Sequence, residues 1–527
     1  MQVSFYRQTT ISRSNHKDLP ELYFTELFPY KRDMCKTWQG LICETEAMIT
    51  NRIFRMRIIF NLFSLLLASG LVTDLSAQPV TISGNAPSYA GQELVFNTIA
   101  DYISGTEKEL GRGMIGPSGD FRIEIPAENT LQVFAALGVF KTFLWIEPRQ
   151  EYRVILPEKV EKSPEEVLNP FFEPVEIQLA IENFREDELN TLIMMFRDAY
   201  NPYYNKHVND IYTKPQAGRI EADIDLIEKS FSNYTNPYFK AYRFYSYGQL
   251  KLLANMQKVS SIAQEYFNGK PFLYDHPAYM ELFDQVYDKY FTFLGRSDAG
   301  KKIYSDINQF HSYSSLLKTL SEEPHITNDT LREMVILKSV YDEFYGMEFS
   351  RDGLLSILDS LILTTRVSMH KQTGMIIRHK ITRLQEGYDP PDFTLLDADS
   401  NRISLKDFLG KYVYLNFCTS SSYTCLNEYK LLHDIYQRHH KKLAVVTIST
   451  DPYDSSFDQF RSKNNYQWVF LYYGHQPGVI KDFDIRAFPT YFLIGPDGKL
   501  IYSPAPSPSE NFEIKLFEAM RARGDLN

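Results

Sequence analysis

The chain has 527 residues, 44% of them hydrophobic and 23% charged, an ordinary globular composition that excludes a disordered or fibrous protein. At this length more than one domain is expected. The net charge of −10, with no long basic run beyond the N-terminal segment, argues against nucleic acid as a partner, and no nucleotide, cofactor or metal is expected.

Met56-Arg57 is followed by an apolar run over 58–72 and then by Asp74-Leu75-Ser76-Ala77-Gln78. A basic start, an apolar stretch and a small-residue exit form a secretory signal pattern over 56–77, with cleavage expected after Ala77. The run is short of the roughly twenty apolar residues a spanning helix needs; an uncleaved anchor is the alternative. Residues 1–55, mixed in composition and without a period, then read as an upstream extension not native to the protein, with Met56 as its start. Export implies the periplasm or cell envelope, where thiols can be oxidised. Cys35 and Cys43 lie upstream, so the exported chain keeps Cys418 and Cys425, too few for a disulfide scaffold.

Residues 78–157 alternate polar and apolar in short runs, such as Phe121-Arg122-Ile123-Glu124-Ile125 after the turn Pro117-Ser118-Gly119-Asp120. They predict a small antiparallel β-sandwich. Residues 158–386 predict an all-helical region. Ile220, Ile224, Ile227 and Phe231 recur at helical spacing, as do Met280, Phe283, Tyr287 and Tyr290. Asn328-Asp329-Thr330 opens a helix that Gly346 stops, with Thr330 and Glu333 spaced as a capping box. Clustered tyrosines here read as core with hydroxyls at its margin rather than as a ligand groove.

A new module begins near 387, after which Pro390-Pro391 breaks the preceding helix. The run 412–417 is apolar on both faces, as a buried central strand is. A helix over 422–438, a strand over 443–449, a helix near 455–464 and strands near 468–472 and 490–494 follow, then the turn Pro496-Asp497-Gly498 and a last helix from about 510. This order predicts an α/β sheet covered by helices on both faces.

In this module Pro391-Asp392-Phe393, Ser404-Leu405, Gly410-Lys411, Leu415-Asn416-Phe417 and Phe488-Pro489-Thr490 stand in the order of a known pattern. Residues 387–527 thus resemble the TlpA/ResA type of extracytoplasmic thioredoxin-like proteins. The resemblance implies a thioredoxin fold, protein thiols or disulfides of the envelope as partners, and a cis proline at Pro489 beside the active site. The whole arrangement of signal, β domain, helical region and C-terminal module looks like one common in Bacteroidota. The chain departs from the family at the chemistry. Cys418 falls where the family has Trp, Ser422 falls on the first cysteine of Cys-x-x-Cys, and Cys425 falls on the second.

Three readings of Ser422-Tyr423-Thr424-Cys425 stand open. Dithiol exchange needs an attacking thiolate and a resolving thiol, and a serine hydroxyl cannot be the first. In the first reading Ser422 is a helix N-cap and Cys425 a buried small hydrophobe, so that the module is redox-inactive and binds or positions proteins. In the second, Cys418 and Cys425 pair as a structural disulfide or an unusual redox couple. In the third, Ser422 and Cys425 resemble the Thr/Ser-x-x-Cys of peroxiredoxins, with Cys418 in place of that family's proline and Pro489 in place of its arginine. The best reading is an enzyme family member weak or inactive in exchange. Asp451 reads as a turn former or a polar group of the site, and His439-His440 as solvated rather than metal-binding.

Overall fold

The computed structural model describes residues 79–526, apart from 164–165, 167–168, 170–171, 211–216, 254–258, 296, 327, 421, 452–460 and 474–476. The expected extension at 1–55 and signal segment at 56–77 lie outside the described residues. No described helix is long and apolar enough to cross a membrane.

The β region packs two sheets face to face. One has the order β4-β1-β7-β9, built from β1 (Val80–Asn85), β4 (Asp120–Ile125), β7 (Glu151–Ile155) and β9 (Ala180–Ile181). The other has the order β3-β2-β5-β6-β8, from β2 (Glu93–Asp101), β3 (Thr106–Met114), β5 (Leu131–Leu137), β6 (Phe140–Ile146) and β8 (Val175–Gln178). Alternation drives the packing: Phe121, Ile123 and Ile125 of β4 are buried while Asp120, Arg122 and Glu124 are exposed. Ile82, Phe96, Val133, Leu144 and Val154 complete the core between the sheets.

The expected boundary at 157 moves. β8 pairs parallel with β6 and β9 antiparallel with β7, so the β region runs on to Ile181. β1 and β7 are parallel as well, which makes the sandwich mixed rather than wholly antiparallel. These late strands are four and two residues long at sheet edges, too short to show a period of two against the helical expectation.

Helices follow from Leu189–Asp210 to Ser368–Thr382. The two periodic runs face inward as expected: Ile220, Ile227 and Phe231 are buried, and so are Met280, Phe283, Tyr287 and Tyr290. Most of the clustered tyrosines are core, with Tyr245 and Tyr279 packed against Phe267 and Tyr266 against Tyr245. The cap of helix Asp329–Glu343 differs from expectation. Asn328 accepts from the Leu331 amide, while Glu333 turns away to accept from Thr365 at 2.6 Å and to meet His370 Nδ1 at 2.6 Å. A buried ring nitrogen is a stronger claim on a carboxylate than a solvated N-terminal amide.

The C-terminal domain is a seven-stranded sheet in the order β11-β10-β14-β13-β12-β15-β16. Its strands are β10 (Thr394–Asp397), β11 (Arg402–Ser404), β12 (Tyr412–Cys418), β13 (Leu443–Ser449), β14 (Val469–Tyr472), β15 (Thr490–Ile494) and β16 (Leu500–Tyr502). Helices α1 (Tyr423–His439), α2 (Pro477–Asp482) and α3 (Phe512–Ala522) cover it. β12 lies at the centre, parallel to β13 and antiparallel to β15, with all seven residues buried. Tyr412, Tyr414 and Cys418 pack under α1 and α3 against Tyr429, Leu432, Phe512 and Leu516. Val413, Leu415 and Phe417 point the other way, toward Phe483 and Ile485 beside α2. The helix expected near 455–464 falls mostly outside the described residues. Six-residue α2 was not anticipated, being too short to show a period.

Candidate functional site

The site lies where β12 ends and α1 begins. Ser422 takes extended backbone angles (φ −88°, ψ 114°) and its Oγ accepts from the Cys425 amide at 3.3 Å. It is therefore the helix N-cap, an interaction worth about 1 kcal/mol. Tyr423, the first helical residue, is 77% exposed, whereas Cys425, two residues later, is fully buried.

Cys418 is also fully buried, at the end of β12 and on the same sheet face as α1. Both cysteines are free thiols. The two side chains lie in one buried cluster with Tyr429, one turn along α1, and each thiol acts on the other's ionisation. Burial, then the neighbouring Cys425, pushes the Cys418 thiol well above its ordinary range. The Cys425 thiol is drawn below its ordinary value, first by the bond from Cys418, with help from the Thr419 backbone and the Ser422 hydroxyl; burial and the Asp451 charge oppose this. The pair is thus electronically unequal. Cys425 is the sulfur that ionises first, and Cys418 the one that holds its proton.

Asp451 is more than a turn former. It is buried, and its carboxylate accepts from Thr419 Oγ1 (2.8 Å), from the Ser420 amide (2.8 and 2.9 Å), from Ser420 Oγ (2.9 Å) and from Ser449 Oγ (2.8 Å). The Thr450 amide donates to the Cys418 carbonyl at 3.0 Å. The ends of β12 and β13 are thereby stitched together, which holds the loop leading to Ser422. Sequence reasoning named Asp451 but missed Thr419 and Ser420; a run of hydroxyl residues after a buried strand is the signal that was there to use.

The Phe488-Pro489 bond is cis, as the resemblance implied. Thr490 pairs with Phe417, so the next step in that register sets half-buried Pro489 level with Cys418. Tyr491, paired with Asn416, is buried, and its ionisation is strongly disfavoured, chiefly by burial and next by Cys418. His439 takes no part: its Nε2 lies 2.7 Å from Glu513 on α3.

A separate cleft of about 1400 Å³ opens where the β region, the helical region and the C-terminal domain meet. Thr106, Lys380, Arg383, Tyr473 and Phe488 are among its walls. Thr450 and Phe488 bring its rim to the site, but neither thiol lines it.

A central strand flanked by one parallel and one antiparallel neighbour, a helix starting at its end, and a cis proline on the next strand define a thioredoxin-like domain. Through residues 387–503 the chain belongs to the AhpC/TSA family. Among its relatives is the thiol-disulfide oxidoreductase ResA of Bacillus cereus, 27% identical over 150 residues that span 28% of this chain and 84% of the relative. The chloroplastic peroxiredoxin Q of Populus jackii is 31% identical over 163 residues, 31% of this chain and 68% of that protein. The solved thiol:disulfide interchange protein from a Bacteroides species is 25% identical with a TM-score of 0.24, the match covering 26% of this chain and 91% of that one.

Proposed function

We propose that this is an exported, cell-envelope thioredoxin-like protein of the thiol-disulfide oxidoreductase group. Its domain is weak or inactive in two-cysteine exchange and engages protein thiols or disulfides as a binding module. One observation carries this reading: the group at the attacking position is the Ser422 hydroxyl, already committed as a helix cap. A hydroxyl there does not ionise near neutral pH, so the partly exposed turn has no nucleophile, and the nearest sulfur, Cys425, is fully buried. The signal pattern at 56–77 supports the placement in the envelope.

The peroxidase reading is the less favoured one. Such chemistry needs a cation to hold the thiolate, whereas Pro489 stands where that arginine would be and the charge acting on Cys425 is the Asp451 carboxylate. The test is a disulfide-reduction assay on insulin with dithiothreitol as the electron source. The native protein should show negligible acceleration, and Ser422→Cys, which restores Cys-x-x-Cys, should gain on the order of tenfold or more. Robust turnover by the native protein would overturn the proposal.

A further inference from the structure

We propose that Cys418 and Cys425 are a reversible dithiol–disulfide centre, closed by low-molecular-weight disulfides. The inference goes beyond the weak-exchange reading, because it concerns a bond that does not use the Ser422 position at all.

The two sulfurs are seven residues apart in sequence, and the turn from β12 into α1 brings them together on one face of the sheet. They are the only cysteines after residue 43. Both are buried free thiols packed in one cluster beneath α1. The loop between them is held at Thr419 and Ser420 by Asp451, so the approach is maintained by fixed bonds rather than by chance. Tyr429 packs into the same buried cluster from the helix side, and Asp451 is the fixed charge acting on both thiols.

The chemistry balances with one co-reactant. The Cys425 thiolate attacks one sulfur of the small disulfide, forming a mixed disulfide and expelling one thiolate. Cys418 then loses its proton and attacks the Cys425 sulfur, expelling the second thiolate. Two protein thiols are oxidised to one disulfide and the small disulfide is reduced to two thiols. Size decides the co-reactant. Both cysteines are fully buried. A small disulfide can reach a buried sulfur through local opening of its surroundings, whereas a folded protein's disulfide cannot be brought in line with it. Closing a bond of about 2 Å draws the first turn of α1 toward β12 and strains the bond between the Cys425 amide and Ser422 Oγ.

The experiment equilibrates the full chain in buffers of varied reduced-to-oxidised glutathione ratio, alkylates free thiols, and digests with trypsin. Cleavage after Lys411 and Lys430 leaves both cysteines on one peptide, separate from Cys35 and Cys43. The expected result is loss of both alkylation sites together, with one midpoint and no stable singly modified species. Cys418→Ala, its folding verified by its thermal transition, should instead accumulate glutathione on Cys425. Two thiols that stay alkylatable at every ratio in the native protein would overturn the inference, and so would a glutathione adduct on Cys425 that never converts to the bridge. The insulin assay reads the weak-exchange proposal independently, so either can fail alone.

Discussion

At the residue scale the site turns on Asp451, whose charge opposes ionisation of Cys425 while its hydrogen bonds hold the loop beside it. Asp451→Asn keeps the shape and a share of the bonds but removes the charge. The Cys425 pKa should therefore fall, and the midpoint of its alkylation rate against pH should move to lower pH. A simple loosening of the loop would raise the rate at all pH values without moving the midpoint, so the profile separates the two causes. Ser422→Ala should cost about 1 kcal/mol, read as a lower thermal midpoint, because it leaves an N-terminal amide of α1 uncapped. Ser422, Cys425 and Pro489 were legible in the sequence because ordered flanking motifs set their register. The Asp451 clamp was not, since its partners Thr419 and Ser420 are more than thirty residues away and only the parallel pairing of β12 with β13 unites them.

At the scale of elements, close packing and capping decide stability. Helix Arg351–Thr364 crosses helix Asp298–Asn308 so tightly that a Cβ on Gly353 would lie 2.2 Å from the Ile307 carbonyl oxygen. Alanine gains about 1 kcal/mol of helix propensity over glycine. The clash is with backbone, which cannot step aside, and overpacking of that kind costs roughly 1–3 kcal/mol. Gly353→Ala should lower the urea midpoint, while Gly478→Ala, at an exposed position of α2 with nothing within 4 Å, should leave it unchanged or raise it. His276 caps helix Pro277–Val286: its Nδ1 faces the Tyr279 amide at 3.4 Å and its Nε2 the Tyr238 carbonyl at 3.3 Å. That arrangement needs the neutral ring, and burial lowers its pKa to about 4. Above about pH 6.5 the ring is neutral folded and unfolded alike. Between about 6.5 and 4 only the unfolded chain binds the proton, so stability falls with pH by up to about 3 kcal/mol. His276→Asn should flatten that part of the melting-temperature profile; an unchanged slope would place the acid sensitivity elsewhere. Helical periods made these elements legible, whereas edge strands β8 and β9, held by only a few pairs, carried no pattern strong enough to compete.

At the scale of the whole molecule, the C-terminal domain is tied to the rest by few but specific bonds. The Gly387 amide donates to the Leu500 carbonyl at 2.7 Å and the Leu500 amide to the Tyr388 carbonyl at 2.9 Å, so the chain is fastened to β16 as soon as it enters the domain. Arg383, just before, donates to the Lys481 carbonyl at 3.2 Å and lies 3.5 Å from Asp482, both on α2. Lys481 in turn reaches Glu107 of β3 at 3.4 Å, and Lys380 donates to the Ser104 carbonyl in the same β region. Sequence marked the start of the domain through Pro390 and Pro391 but said nothing of this junction, because its contacts join residues as far apart in the chain as Glu107 and Lys481. Arg383 is the piece whose loss isolates one connection: its side chain is 17% exposed, and its bonds to Lys481 and Asp482 reach into the domain that follows it. Hydrogen bonds to a charged group are worth about 1.5–3 kcal/mol when shielded from solvent. Arg383→Ala should therefore leave both parts folded but uncouple them. Calorimetry should then resolve an earlier transition for residues 387–527, and protease cleavage should quicken in the exposed stretch around 385–389. A single transition at the native temperature with native cleavage rates would mean that the backbone pairing with β16 suffices to hold the domain in place.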